Sequence, residues 1–158
     1  MKDSLRTGII FGLTSAVITT LGLMVGLDSG TGSKLVVLGG VLTIAIADAF
    51  SDALGIHVSE ESENVHSPKE VWSSTVATFL AKFIFAMTFV VPILLLPLST
   101  AIIVSLVWGF SVLAVLSYFI ARSTNARPWK VISEHLLVAT IVITITHWVG
   151  DWVSTFAA

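Results

Sequence analysis

The chain has 158 residues, of which 55% are hydrophobic and only 11% charged, with a formal net charge of −2 and a mean hydropathy of +0.97. A soluble domain carries charge on about a quarter of its residues, so most of this surface is built to face something other than water. The slight negative balance excludes a broad basic face for nucleic acid, and the absence of cysteine excludes a disulfide framework and thiolate metal ligation.

A helix crosses the hydrocarbon core of a bilayer in about 20 apolar residues. Five stretches meet that length, at about 7–27, 35–57, 74–96, 100–121 and 131–155. The first follows Lys2 and Arg6 and has the look of a signal peptide. Its apolar run exceeds the usual length of about 7–15 residues and no small-residue cleavage site follows, so it reads as a retained helix. Along it Gly8, Gly12, Ser15, Thr19, Gly22 and Gly26 form one small-residue stripe, of the kind that lets helix backbones approach closely in lipid.

The second span contains Asp48 and Asp52 within IADAFSDALG, one turn apart and so on one face. Its own small stripe, Ala45, Asp48, Asp52, Gly55 and Ser59, is expected to face that of the first span across a narrow polar seam. The charged segment VSEESENVHSPKE follows. His57 and Glu61 share a face if the helix continues past the bilayer, where they either gather cations at a pathway mouth or belong to a solvated acidic loop. The third span holds Lys82 in TFLAKFIF and ends at Pro92 and Pro97, which are expected to shape its end. Asp48 and Lys82 fall at similar depth, on the order of 12 Å from the membrane surface. The fifth span carries His147 and Asp151, again at i and i+4. Trp72, Trp129, Trp148 and Trp152 read as anchors at the membrane–water interfaces.

Basic residues set the orientation. Lys2, Arg6, Lys69, Arg122, Arg127 and Lys130 fall on one side of the five spans and only Lys34 on the other, which places the N-terminus in the cytosol and the C-terminus outside or in a lumen. The expected fold is all-α and polytopic: one transmembrane domain over 1–158 with five transmembrane helices, its first partner the lipid bilayer.

Ionisable groups inside a span cost at least a few kcal/mol each, so they are functional candidates by default. Asp48 and Asp52 can share a divalent cation or pass a proton through oxygen ligands. The structural alternative is a buried ion pair with Lys82 that fixes helix register. His147 with Asp151 is either a functional pair or a hydrogen-bonded structural one. No nucleophile–base or metal–histidine cluster stands at useful spacing, so an enzyme is the class least supported.

Two segments resemble a known family. Ser15–Leu27, SAVITTLGLMVGL, is similar to the first-helix signature DGxxTTxGLxxG of vacuolar iron transporters, and Ala47–Glu63, ADAFSDALGIHVSEESE, to their second-helix signature ADAxSMAxGEYxSxxSE. The Pro92–Pro97 corner and Gly150–Val153 sit where that family has comparable features. The resemblance implies a five-span homodimer that moves ferrous iron or manganese out of the cytosol, usually by proton exchange, with no permanently bound cofactor and the metal as substrate. Asp48 and Ser51 match signature positions. Ser15 stands where the family has Asp, Asp52 where it has Met, Ile56 where it has Glu, and the family's long glutamate-rich cytosolic domain has no counterpart between the second and third spans. The expected pathway residues are thus Asp48, Asp52, His57 and Glu61, with Lys82, Ser15, Thr19, Ser51, His147 and Asp151 as further polar groups within the spans. Metal transport leads; a non-transporting scaffold or partner subunit of the same fold, and a transporter of protons or an organic substrate, stand beside it.

Overall fold

A computed structural model describes residues 2–156. The elements in chain order are α1 (Lys2–Thr31), α2 (Lys34–Glu63), α3 (Pro68–Thr88), α4 (Val90–Leu95), α5 (Leu98–Ser123) and α6 (Pro128–Ser154). With α3 and α4 taken together as Pro68–Leu95, five helices are long and apolar enough to cross a membrane, as a multi-pass membrane protein requires. They run past the expected spans at most ends. A helix of 30 residues is about 45 Å long, against about 30 Å of hydrocarbon, so the polar ends of α1 and α2 reach beyond an apolar slab.

The turns explain where each helix stops. Gly32 adopts φ 57° between α1 and α2, a conformation that suits glycine. Ser33 then caps α2, its Oγ accepting from the Val36 amide at 3.4 Å. Asn64 (φ 50°) closes α2 in the left-handed region, which asparagine tolerates better than most residues. The Ser67 amide donates to the Glu70 carboxylate at 3.0 Å and Pro68 opens α3, a capping arrangement with proline where no amide is needed. Pro92 cannot donate to the Thr88 carbonyl one turn earlier, and the helix breaks at Phe89 between α3 and α4. Pro92 therefore interrupts the third span as well as shaping its end. Trp108 of α5 donates to Thr88 Oγ1 at 3.1 Å at this break. Lys34 of α2 donates to the Leu94 and Leu96 carbonyls at 3.2 and 3.0 Å, a cation on the carbonyl end of α4 where the helix dipole favours one.

Helix α1 is the centre of the bundle. It touches α2, α3, α5 and α6, most extensively α3 and α6, and Val17, Leu21 and Met24 lie in the core with Val37, Val41, Phe89, Ile93 and Leu113. The α1 stripe does not face its counterpart on α2. A Cβ on Gly12 would meet the Thr78 carbonyl oxygen of α3 at 2.6 Å, and one on Gly8 would run into the Ser74 carbonyl. Further along, Gly22 and Gly26 pack on Val142 and Thr146 of α6, and Gly26 carbonyl lies where a Gly150 side chain would be. A pattern repeating every 3.5 residues drifts round a 3.6-residue helix by about 20° per heptad. One stripe therefore serves α3 at one end and α6 at the other. On α2, a Cβ added at Gly55 would meet open space and Ser59 is exposed, so that end of the stripe is not a close-packed face among the described residues.

A buried lysine between two aspartates

The centre of the bundle holds a compact polar cluster contributed by three helices. Lys82 of α3 is 1% exposed. Its Nζ lies 2.5 Å from Asp48 Oδ2, pairs with Asp52 Oδ2, and donates to Ser15 Oγ of α1 at 2.8 Å. Asp48 Oδ2 is buried and takes part in no hydrogen bond, so its contact with the ammonium is one of charge rather than of directed geometry. Lys82 is 14 residues into α3, about 21 Å along the helix, and Asp52 is 11 residues from the end of α2, about 17 Å along it. The cluster therefore sits near mid-height.

The local sequence places these groups. Spacing of four brings both carboxylates to the side of α2 that meets α3. Gly12 lets the α1 backbone approach Lys82 N, where a Cβ would stand at 3.2 Å, and one turn on Ser15 presents its hydroxyl to the ammonium. Two carboxylates and one ammonium leave a formal charge of −1 among apolar side chains. Asp48 also lines a groove of about 670 Å³ between α1 and α2, with Leu23, Leu27, Gly40, Ala47 and Ser51. Asp48 is thus reachable from the groove, while Lys82 stands on the side toward α3.

A buried hydroxyl file continues from Lys82 toward the end of the bundle that bears the N-terminus. Thr78 and Ser74 follow at one-turn intervals on α3, both fully buried. Ser74 Oγ donates to Glu60 Oε2 of α2 at 2.6 Å, and Glu60 is itself only 6% exposed. Thr78 Oγ1 is buried with no hydrogen-bond partner. Glu60 was hidden in a charge run that reads as solvated. The usable signals were two: seven residues separate it from Ala53, hence it lies near the buried side of α2, and Ser74, Thr78 and Lys82 recur every four residues.

The remaining expected site residues lie elsewhere. His57 Nδ1 is 2.9 Å from Thr75 Oγ1 and its ring stands edge-on to Trp72. With Glu61 and His66 it lines a separate cleft of about 270 Å³ at the end of α2, so His57 and Glu61 do share a face of a helix that runs on to Glu63. They do not join Asp48 and Asp52, five or more residues deeper. Thr19 Oγ1 donates to its own helix at the Ser15 carbonyl, 2.9 Å. Ser51 is exposed on the groove rim. His147 Nε2 is 3.5 Å from Asp151 Oδ2, and Ser29 of α1 donates to both Asp151 and the His147 carbonyl; this cluster ties α6 to α1 and is more than half exposed. A further histidine outside the expected set, His135, has Nδ1 2.7 Å from Ser117 Oγ of α5. Among the described residues no group of three or more His, Asp or Glu stands ready to hold a metal ion.

Compared with known proteins, the chain matches no family model and no curated protein.

Proposed function

We propose that this chain is an integral membrane cation transporter in which Asp48 and Asp52 bind the transported ion at mid-membrane. The observation that carries the reading is the pair of carboxylates held on one cation, Lys82, at the end of a groove reaching Asp48. Groups of this kind inside a membrane are expensive and mark ion pathways. The resemblance of Ser15–Leu27 and Ala47–Glu63 to vacuolar iron transporters makes Fe2+ and Mn2+ the first substrates, moved out of the cytosol against protons, with a homodimer covering the α1–α2 groove. The basic residues orient the N-terminus to the cytosol.

The test is metal entry into proteoliposomes under an imposed proton gradient. Saturable Fe2+ or Mn2+ flux is expected from the wild type, and flux at the level of empty liposomes from Asp48→Asn/Asp52→Asn. A second reading is favoured by one observation: the space between the carboxylates is filled by Lys82 and, among the described residues, no group of three metal ligands stands there. On that reading the network holds helices together in a non-transporting subunit. Folded, monodisperse wild-type protein without flux for any of Fe2+, Mn2+ or Zn2+ selects it.

A further inference from the structure

An ion bound by Asp48 and Asp52 takes the place of the Lys82 ammonium, and a buried hydroxyl file begins one turn away on the same helix. We infer that Lys82 is a two-position internal counter-ion: it holds Asp48 and Asp52 when the site is empty, and moves one turn along α3 to Thr78 and Glu60 when an ion binds. This rests on the proposed cation site and supplies its regulation.

Three observations carry it. The first is a vacant acceptor: Thr78 Oγ1 is fully buried and unpartnered, and a buried hydroxyl without a hydrogen bond is costly enough to need a reason. The second is reach. Thr78 lies one turn from Lys82 on the same face, about 5–6 Å between Cβ atoms, and lysine side chains on a helix lean toward its N-terminus. A change of side-chain rotamer covers that interval without moving the backbone. Glu60 Oε2 bonds Ser74 Oγ one turn beyond Thr78, so the carboxylate turns toward Thr78 to meet the ammonium, the direction in which side chains of the antiparallel α2 lean. The third is charge. Asp48, Asp52, Glu60 and Lys82 together sum to −2. A divalent ion brings the group to zero, with the two aspartates balancing the ion and Glu60 balancing the lysine.

Other charged groups described at this end stand apart from the file. Asp3 and Arg6 of α1 are exposed, and Arg6 donates to Ser123 of α5. Glu61 and Glu63 are exposed on α2, and Glu70 of α3 is held by Ser67. An ammonium displaced with no counter-charge would be left buried and unpaired, which is strongly unfavourable. Glu60 and Thr78 remove that obstacle, so ion binding is coupled to a defined swing of Lys82.

The test is Mn2+ affinity of the purified full chain in detergent, by calorimetry. Lys82→Met is expected to bind Mn2+ about tenfold more tightly or better, because the internal competitor is gone. Thr78→Val and Glu60→Gln are each expected to bind about tenfold more weakly than wild type, and on the Lys82→Met background neither is expected to change affinity by more than about twofold. Ser111→Ala, an exposed hydroxyl on α5, serves as the unaffected control. Wild-type affinity in both Thr78→Val and Glu60→Gln overturns the switch while leaving the cation site standing; so do equal losses with and without Lys82. Failure of wild type and Lys82→Met alike to bind Mn2+ overturns the cation site and the switch with it.

Discussion

Replacing Lys82 by Met is expected to lower the unfolding free energy by about 3–5 kcal/mol in metal-free detergent solution. The substitution keeps the volume of the side chain and removes only the charge that Asp48 and Asp52 face. It leaves two carboxylates near mid-height without their ammonium, in a bundle where Lys82 itself is 1% exposed. Removing all three charges at once has a different result. Asp48→Asn/Asp52→Asn/Lys82→Met leaves no uncompensated charge, and buried ion pairs replaced by well-packed neutral groups are often no less stable. The triple variant should therefore recover most of the loss. Reversible unfolding monitored by helical circular dichroism measures both. Saturating Mn2+ should restore part of the stability of Lys82→Met, since a ligand that binds only the folded state stabilises it.

The second large effect is at the α1–α3 contact. Gly12→Ala is expected to destabilise by about 2–3 kcal/mol, because its Cβ would stand 2.6 Å from the Thr78 carbonyl oxygen and 3.1 Å from Ala81 Cβ. Those neighbours include backbone, which cannot rotate aside. The helices must separate, and Lys82 moves with α3, so metal flux should fall along with stability. Gly39→Ala provides the opposite sign. A Cβ added at Gly39 would meet nothing within 4 Å outside its own helix backbone, and alanine in a helix interior is favoured over glycine by about 0.5–1 kcal/mol. Thermal unfolding of the two variants beside wild type checks the pair.

Much of the architecture was legible because a membrane helix announces itself by length and apolarity alone, and each of the five expected spans matches one long apolar stretch of helix, two of them overrunning its end by one residue. Asp48 and Asp52 share a face by spacing, and depth counting puts Asp48 and Lys82 at similar depth, where an ion pair is the structural alternative; the contact of Lys82 to both aspartates is observed. Helix partners were less legible. The α1 stripe identifies a close-packed face but does not name the neighbour, which depends on how helices cross and on the drift between 3.5 and 3.6 residues per turn. Ser15 became part of the cluster through α3, not through α2. The burial of Glu60 was masked by Glu61 and Glu63 beside it, since a run of charge usually marks a solvated face. The break at Phe89 follows from Pro92 by local chemistry. Which backbone groups then find new partners, Thr88 with Trp108 and Leu94 and Leu96 with Lys34, required the tertiary fold.

Ion passage over Asp48 and Asp52 is tested by Mn2+ entry into proteoliposomes by the triple variant Asp48→Asn/Asp52→Asn/Lys82→Met, beside the wild type. This variant removes the proposed site without leaving a stranded charge, so its fold is expected to survive. Saturable wild-type flux, with the folded triple variant indistinguishable from empty liposomes, is the predicted result. Wild-type flux that persists undiminished in the triple variant would contradict it, because the ion would then cross without the aspartates that Lys82 holds.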